Sequence, residues 1–437
     1  MNNPVVKRMS LLNMGCRVNW TEMEQLRQQG VEQGYQPVGE GEAADLVVIN
    51  TCSVTGESER QARQLIRRVV RENPGARVVV TGCYAERDPA ALSAMAGVDR
   101  VVGNREKSNL LKWIEPGPRP PLESCPPAVQ AGVERARVFL QVQNGCSQRC
   151  TFCVIPPLRG QSRSLPLDEA LQQAQRHVAS GIREVVLSGI NLGEYGVDLL
   201  PPLTLAHLVE KVSQIVGLER LRLSSIHPAD LTDELLAWFA DSPRLCNHLH
   251  LSVQSGDSLI LKRMGRHYGR EYLCQRLAHL RTLRPDMVLG GDFIVGFPTE
   301  SDEAFKNTLS LVEEEGFSLL HVFPYSDRPD TPAAAIGKRF HVPGDLLRHR
   351  SRLLREAGRK NLLILLRNLI NQECPILVES VENRVASGKS SGFLPVVCQE
   401  VEPSMVGHIL SCQIIGVNEE RGIALARPLF PNQEAAI

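Results

Sequence analysis

The chain has 437 residues, of which 43% are hydrophobic, and equal numbers of acidic and basic side chains give a formal net charge of zero. This length predicts two to four domains with substantial cores, and the neutral charge gives no global support for nucleic-acid binding, which would depend on local patches. Twelve cysteines, the lack of an apolar leader and the lack of a run of about 18 apolar residues argue against a secreted or membrane-spanning protein and predict a cytoplasmic one.

Three similar units follow one another in residues 1–115, the predicted amino-terminal domain. Each unit is an apolar run that ends in a cysteine and precedes helix-compatible sequence, and the cysteines are Cys16, Cys52 and Cys83. Such runs alternating with helices predict an open parallel α/β sheet, in which ligands bind beyond the carboxyl ends of the strands. A lone cysteine is usually a small core residue. Three in equivalent places favour a three-cysteine cluster site.

A proline-rich segment, residues 116–134, predicts a linker. After the next apolar strand comes a Cys-x3-Cys-x2-Cys run formed by Cys146, Cys150 and Cys153. Three thiolates from one short loop can hold three irons of a 4Fe–4S cube and leave the fourth iron open for a ligand that is not protein.

Two alternatives to an iron–sulfur cluster exist for this run. A zinc site needs a fourth soft ligand at short range, and the next downstream candidate is His177, which lies in another segment. A disulfide scaffold is typical of small secreted chains. Zinc therefore stays open as a minor alternative, and the cluster is the favoured interpretation.

The segment 135–370 alternates strands and helices six times, which predicts an incomplete parallel barrel with catalytic groups at the carboxyl ends of its strands. The predicted strands are residues 136–143, 184–190, 221–226, 248–254, 287–297 and 318–325. Glycines at several strand ends allow the backbone to approach a ligand closely. His248 and His250 share a strand face and favour packing over ligation, whereas His227 lies nearer the predicted mouth without an assigned role.

Residues 371–434 predict a small β-barrel in the style of oligonucleotide-binding modules, with strands at 376–380, 393–401, 408–417 and 422–427 and a turn at 386–392. Basic residues precede the barrel and occur within it. Charged runs are usually solvated helix faces, but next to such a module they become candidates for phosphate contacts. The candidate RNA-binding residues are Arg348, Arg352, Arg355, Arg359 and Lys389.

The cysteine run resembles that of the radical S-adenosylmethionine superfamily, in which the open iron is chelated by the amino and carboxylate groups of S-adenosylmethionine. Residues 15–16, 50–55 and 81–84 resemble the amino-terminal domain of the methylthiotransferase family. The central segment resembles the radical domain of that family and the tail its RNA-binding TRAM domain, so the resemblance covers the whole chain. The resemblance implies two 4Fe–4S clusters, one on each set of three cysteines, and bound S-adenosylmethionine. The residues predicted to bind S-adenosylmethionine are Phe152, Ser188, Gly189, Asn191, Gln254, Asp292, Val295 and Gly296.

Three branches of this family act on isopentenyladenosine in tRNA, on an aspartate of a ribosomal protein, and on N6-threonylcarbamoyladenosine in tRNA. Residues 223–228, 249–256 and 321–326 are most similar to the third branch, while residues 157–160 are closer to the ribosomal-protein branch. The resemblance thus implies methylthio transfer to C2 of N6-threonylcarbamoyladenosine at position 37. Its expected partners are the anticodon stem-loop and a flavodoxin-like or ferredoxin-like electron donor. The other two substrates remain alternatives, and a non-enzymatic iron–sulfur RNA-binding sensor is a further one.

Overall fold

The computed structural model of the chain describes residues 7–113 and 136–429. The predicted linker, residues 116–134, lies outside the described residues. The described chain divides into two units, each with its own contacts. Within these ranges, every helix falls short of the length or apolar character that a membrane crossing requires.

The first unit contains a five-stranded parallel sheet in the order β2-β1-β3-β4-β5. Its strands are β1 (Arg8–Asn13), β2 (Gln36–Val38), β3 (Leu46–Thr51), β4 (Arg77–Gly82) and β5 (Arg100–Val102). Its helices are α1 (Arg17–Glu32), α2 (Gly56–Glu72), α3 (Cys83–Arg87) and α4 (Pro89–Ser93), followed by a 3-10 turn at Lys107–Trp113. The predicted open parallel α/β sheet is confirmed, with β2 and β5 as additional short strands.

Helices cover both faces of this sheet, because its central strands carry apolar side chains on both sides. All six residues of β3 are buried. Val47 and Ile49 pack with Ile66 of α2, whereas Val48 packs with Leu26 of α1 on the opposite face. Successive side chains of a strand point to opposite faces, so a continuous apolar run produces two cores.

Two segments distant in sequence complete the first unit. They are Asn144–Ser162, which contains the Cys-x3-Cys-x2-Cys run and the short helix α5 (Ile155–Arg159), and Ser326–Ala335. The amide of Ala333 donates to the carbonyl of Thr151 at 2.9 Å, so these two segments contact each other as well.

The second unit begins with six parallel strands in two hydrogen-bonded groups, β10-β9-β6 and β11-β12-β13. Isolated parallel bridges join Leu221 to Leu245 and Ile226 to Leu251, so the two groups form one curved wall. The strands are β6 (Arg137–Gln141), β9 (Glu184–Ser188), β10 (Arg220–Leu223), β11 (His248–Gln254), β12 (Val288–Val295) and β13 (Leu319–Pro324); the short strands β7 (Gln143–Asn144) and β8 (Arg163–Ser164) flank the cysteine run in sequence. The predicted incomplete parallel barrel of six strands is confirmed.

Helices cover the outer face of this barrel. Leu249, Leu251 and Phe293 belong to the core that the strands share with the helices. Because side chains alternate along a strand, His248, His250 and Asp292 lie on the inner face. The helices are α6 (Leu167–Ala179), α7 (Leu205–Ser213), α8 (Asp233–Asp241), α9 (Ser258–Arg263), α10 (Arg270–Leu283), α11 (Asp302–Glu314) and the long α12 (Gly344–Asn368).

A six-stranded, mainly antiparallel sheet in the order β17-β14-β15-β16-β19-β18 ends the second unit. Its strands are β14 (Ile376–Glu382), β15 (Val385–Ser390), β16 (Pro395–Cys398), β17 (Ile409–Leu410), β18 (Cys412–Asn418) and β19 (Ile423–Pro428). The predicted turn at 386–392 is wrong over most of its length, because β15 occupies it. Serine and glycine have low strand propensity, but hydrogen bonds from β14 on one side and β16 on the other hold this segment extended.

The inner end of the barrel contacts this sheet through Phe393. The guanidinium carbons of Arg222 and Arg137 lie 4.8 Å and 5.3 Å from the centre of its ring. Arg222 also donates to the carbonyl of Ser391 at 2.9 Å and to the buried carboxylate of Glu184 at 2.9 Å. These cation–π and charge-assisted contacts fix the sheet against the barrel.

Candidate active site

Three cysteines lie at the carboxyl ends of neighbouring strands of the first unit. Cys16 directly precedes α1 after β1, Cys52 follows β3, and Cys83 begins α3 after β4. Since β1, β3 and β4 are adjacent in the sheet, the three residues share one edge. Gly15, with φ of 98°, permits the close approach of two of these loops, because a Cβ there would lie 2.7 Å from Cβ and 2.9 Å from Sγ of Cys52.

The thiols of this edge have the character of metal ligands. Cys52 and Cys83 are buried, while Cys16 reaches the surface. Burial, together with negative charge on Cys83 and Cys16, raises the pKa of the Cys52 thiol to about 11. A thiol of this kind ionises when a metal replaces its proton. A donor set of three sulfurs with one surface-accessible member suits a cluster that keeps one position for an outside ligand.

Buried cations lie beside these thiols. The Glu22 carboxylate accepts hydrogen bonds from Lys107 Nζ at 2.7 Å and from Arg159 Nη1 at 2.7 Å. Arg159 also donates to the Asn19 side chain, whose own amide donates to the carbonyls of the two cysteine loops, Met14 at 2.8 Å and Thr51 at 3.2 Å. This group of Glu22, Lys107 and Arg159, here called the buried ion group, therefore supports the backbone that carries Cys16 and Cys52.

The charges of the buried ion group act on the thiols as well as on each other. Burial alone would raise the pKa of Glu22, but the charges of Lys107 and Arg159 outweigh it and lower the pKa to about 2. Arg159 in turn interacts electrostatically with Cys83 and Cys16. Two cations and one carboxylate leave an excess positive charge, and the charge of Arg159 offsets part of the burial that raises the pKa of the Cys16 thiol.

A second buried carboxylate supports the loop after Cys52. Glu59 of α2 accepts from the Ser53 hydroxyl and forms ion pairs with Arg87 and Arg328. Arg328 also donates to Ser53 Oγ at 3.1 Å. The segment Ser326–Ala335 is thereby connected to the residue next to Cys52.

The Cys-x3-Cys-x2-Cys run forms a half-buried loop in the same unit. The amide of Cys146 donates to the carbonyl of Gly160 at 3.1 Å, and that of Cys153 donates to Cys150 at 3.1 Å. The amide of Ile155 donates to Sγ of Cys153 at 3.4 Å. An N–H···S bond stabilises a thiolate and is one of the means by which proteins adjust cluster potentials.

Helix α5 connects this loop to the cysteine edge of the sheet. Leu158 and Val154 pack against Cys83 in one apolar group. The Asn104 side chain donates to the carbonyl of Leu158 at 3.0 Å and contacts Sγ of Cys83 at 3.7 Å. Arg159, the last residue of α5, joins the buried ion group. The first unit therefore holds both sets of three cysteines, with α5 in contact with each.

In the second unit, buried polar atoms gather at the carboxyl ends of β9 and β10. Ser188 Oγ, Asn191 Nδ2 and Ser224 Oγ are buried and have no hydrogen-bond partner in the described part of the chain. Buried polar groups are normally paired, so these atoms indicate a polar ligand. The backbone amide of Asn191 is held by Gln143 Oε1 at 2.9 Å, which fixes the turn after β9.

His227 lies after β10 with a defined tautomer. Burial lowers the pKa of its imidazole to about 3, so the ring is neutral. Its Nδ1 accepts from the amide of Ala229 at 3.1 Å, so the proton resides on Nε2, which is buried and has no acceptor among the described residues. Nearby Asp230 has its pKa raised to about 6 by burial and by Glu194. This end of the barrel therefore carries both a buried donor and a carboxyl group.

Comparison with known proteins identifies the family. Residues 8–103 match the family described as Uncharacterized protein family UPF0004, and residues 140–312 match the Radical SAM superfamily. The chain is 37% identical to Threonylcarbamoyladenosine tRNA methylthiotransferase MtaB of Rickettsia prowazekii, over 94% of this chain and 96% of that protein. It is 31% identical to tRNA-2-methylthio-N(6)-dimethylallyladenosine synthase of Desulfitobacterium hafniense, over 95% and 96%. The chain belongs to the methylthiotransferase family of radical S-adenosylmethionine enzymes.

A solved structure of similar fold is that of the radical S-adenosylmethionine methyltransferase TsrM from Kitasatospora setae. Its TM-score is 0.55 at 15% identity, with 76% of this chain and 77% of that chain covered. At this identity the likeness concerns the fold alone. It agrees with the incomplete barrel of the second unit.

Membership of the family confirms the enzyme class and the cofactors predicted from the sequence. The methylthiotransferase uses S-adenosylmethionine and two 4Fe–4S clusters. The donor sets described above fit these groups: six thiols in two sets of three, and buried polar atoms without partners at a barrel mouth. Which residue binds which group stays a prediction.

The residues predicted to bind S-adenosylmethionine occupy different settings. Ser188 and Asn191 bear the buried unpaired atoms, and Gln254 ends β11 with a φ of 69°. Gly296 follows β12, and its amide donates to Glu300 Oε2 at 3.0 Å. Asp292 lies deeper in the barrel and accepts from two histidines. The remaining predicted residues are Gly189 after β9, Val295 at the end of β12, and Phe152 in the cysteine loop of the first unit.

The candidate RNA-binding residues fall into two groups: two are exposed on a helix, and three contact other parts of the chain. Arg348 and Arg352 are exposed on α12, and their partners among the described residues lie on the same helix: Asp345 for Arg348, and His349 and Glu356 for Arg352. The other three contact their own chain: Arg355 donates to the carbonyl of Val322 at 2.9 Å, Arg359 donates to that of Glu419 at 2.6 Å, and Lys389 Nζ lies 5.3 Å from the Phe393 ring centre. The two exposed arginines therefore remain the better candidates.

Proposed function

We propose that this methylthiotransferase replaces the C2 hydrogen of N6-threonylcarbamoyladenosine at position 37 of tRNA with a methylthio group. The tRNA would bind through its anticodon stem-loop, and the β-barrel, residues 371–434, is the proposed RNA-binding domain. A flavodoxin-like or ferredoxin-like protein is the proposed electron donor.

The relatives support the choice of nucleoside. Over nearly the whole chain, identity is 37% to the threonylcarbamoyladenosine enzyme of Rickettsia prowazekii and 36% to that of Bacillus subtilis. It is 31% to the dimethylallyladenosine enzyme of Desulfitobacterium hafniense over a similar span. This difference is the observation that carries the substrate assignment.

The arrangement of cysteines supports the reaction. Under the proposal, Cys146, Cys150 and Cys153 hold the cluster that cleaves S-adenosylmethionine reductively, and Cys16, Cys52 and Cys83 hold the cluster that carries the sulfur to be transferred. When bound, these cofactors supply the radical and the methylthio group. The chain's own residues position them: the buried ion group holds the loops of Cys16 and Cys52, and α5 contacts both cysteine sets.

The barrel residues have a complementary part in the proposal. Ser188 and Asn191 would hydrogen-bond S-adenosylmethionine through their buried unpaired atoms. Neutral His227, with its proton on Nε2, would donate to a ligand acceptor without changing charge. A loop base is already unstacked, so presenting it to a buried pocket costs little.

The test is an anaerobic reaction of the reconstituted enzyme with three substrates in parallel. These are tRNA bearing N6-threonylcarbamoyladenosine, tRNA bearing isopentenyladenosine, and the ribosomal protein modified by the third branch. Mass spectrometry should detect a methylthio product with the first substrate. Product with either of the others alone would overturn the substrate assignment, and absence of 5′-deoxyadenosine under reducing conditions would favour the non-enzymatic sensor.

A further inference from the structure

Three polar side chains converge on the inner face of the barrel. One is Asp292, which the sequence predicts to bind S-adenosylmethionine, and the other two are histidines without an assigned role in the proposed reaction. His250 lies on β11, Asp292 on β12 and His321 on β13. In the parallel register Asp292 is paired with His321, and His250 is paired with Gly290, two residues before Asp292. Three adjacent strands thus each contribute one side chain to a single point.

Both histidines lie at the same short distance from Asp292. Oδ1 of Asp292 lies 3.0 Å from Nε2 of His250 and 3.0 Å from Nδ1 of His321. One ligand atom from each of the three residues lies within 4.8 Å of the other two. Imidazole nitrogens and carboxylate oxygens bind a transition metal at about 2.1 Å, so ligands at right angles around one ion lie about 3.0 Å apart.

The surrounding chain makes room for this arrangement. Opposite His250, a Cβ on Gly290 would lie 2.6 Å from Nδ1 of the imidazole, so glycine at this position leaves space for the ring. His250 is buried, whereas the side chain of His321 is 57% exposed, which gives an ion a route from solvent. His250 is therefore held in place by its surroundings, and His321 is accessible from solvent.

The charge at this point also favours a cation. Burial would raise the pKa of Asp292, but hydrogen bonds and positive charge from the two histidines outweigh it and place the pKa well below the usual range. The carboxylate is thus ionised at neutral pH. Two imidazoles and one carboxylate offer an ion two nitrogen ligands and one oxygen ligand.

We propose that His250, Asp292 and His321 bind one divalent first-row transition-metal ion, such as Mn²⁺, Fe²⁺ or Zn²⁺, distinct from the iron of the two clusters. Two imidazoles and one carboxylate select such ions over Mg²⁺ and Ca²⁺, which prefer oxygen ligands, and over Cu⁺, which prefers sulfur. Three protein ligands on one side of an ion leave its other positions for water or for an oxygen ligand inside the barrel.

Mn²⁺ is the probe that separates this site from the cysteines. As a hard ion it binds carboxylate and imidazole in preference to thiolate. The titration uses the full-length enzyme with both clusters reconstituted and in their oxidised, diamagnetic state, and the EPR signal of free Mn²⁺ reports binding. We expect about one Mn²⁺ per chain, displaced by Zn²⁺ as the order of metal affinities requires.

The variants His321→Ala and Asp292→Asn should each weaken Mn²⁺ binding by more than about tenfold, the effect of losing even an outer partner of a metal ligand. His279→Ala is the matched control, because His279 is an exposed histidine 3.6 Å from the carboxylate of Asp233. That variant should bind Mn²⁺ as the parent does.

Because His321 is exposed, His321→Ala should retain the iron content of the parent, which verifies that the chain has folded. The three side chains are a hydrogen-bonded group without a metal if the parent enzyme binds no stoichiometric Mn²⁺, or if His321→Ala and His279→Ala bind it equally. Either result would overturn the proposal, and neither depends on the identity of the tRNA substrate.

Discussion

Replacing Glu22 by glutamine tests whether the buried ion group supports the cysteine edge of the sheet. The substitution keeps the size of the side chain and removes its charge. Lys107 and Arg159, whose side chains are 5% and 0% exposed, then lose the carboxylate that they share. Two buried cations without a counter-charge should destabilise the loops that carry Cys16 and Cys52.

The expected loss can be estimated in two ways. The pKa of Glu22 is lowered from 4.5 to about 2. A difference of about 2.5 units at 1.36 kcal/mol per unit corresponds to about 3 kcal/mol. Removing one partner from a buried ion pair costs about 3–5 kcal/mol. The two estimates agree at the lower end, so about 3 kcal/mol is the expected loss of local stability.

The sign of the pH dependence follows from the direction of the shift. Because the folded-state pKa of Glu22 lies below the unfolded value, its contribution is present above about pH 4.5 and is lost as the pH falls towards 2. The parent protein should therefore lose protection of α1 over this range. Glu22→Gln should lack this component of the pH dependence.

Hydrogen exchange measured by mass spectrometry can detect the change locally. Peptides covering β1 and α1 should exchange about 100-fold faster in Glu22→Gln, since each 1.4 kcal/mol corresponds to a factor of ten. Glu24→Gln is the control, because Glu24 lies on the same helix and forms a partly exposed pair with Arg27. That pair should contribute less than about 1 kcal/mol. Equal exchange in the two variants would refute the reasoning.

Four further substitutions test other parts of the structure. Cys52→Ser should lower bound iron by about one cluster per chain, and unchanged iron content would contradict the assignment of that cysteine. Phe393→Ala should destabilise β15 and β16 by about 2 kcal/mol, less than the 3–5 kcal/mol of a fully buried phenylalanine; hydrogen exchange there should be unaffected by Phe340→Ala, which alters an exposed ring. Arg348→Gln and Arg352→Gln should each weaken tRNA binding and reduce its salt dependence by about one phosphate contact, and an unchanged salt slope would remove these residues from the interface.

The parts of the fold that could be predicted are those whose conformation is determined by residues close together in the sequence. The run that ends at Cys52 is rich in apolar and β-branched residues, and it forms a strand buried at all six positions. β2 and β5 were not predicted, because each has three residues and no periodic pattern can develop over so short a span. β15 was predicted as a turn, because its serines and glycine extend only when strands on both sides bind them.

The distinction between local patterns and contacts distant in sequence applies to the candidate site as well. The spacing of Cys146, Cys150 and Cys153 predicts a cluster because all three ligands lie in one loop. Arg159 and Glu22 are 137 residues apart in the chain, so no local pattern joins them. The spacing of the two histidines of β11 favours packing, since the contact of His250 with Asp292 depends on the register of a neighbouring strand. Ionisable residues on the inner face of otherwise apolar strands were the available signal.

The buried ion group also explains how a thiol that resists ionisation can serve as a ligand. Burial that raises the pKa of Cys52 to about 11 would leave it protonated in the metal-free protein. Iron binding must expel that proton, and the cost falls when positive charge already lies nearby. Arg159 and Lys107 together exceed Glu22 by one charge, and both interact with Cys83. On this argument Arg159→Met should retain less iron on the Cys16 set than Arg159→Lys.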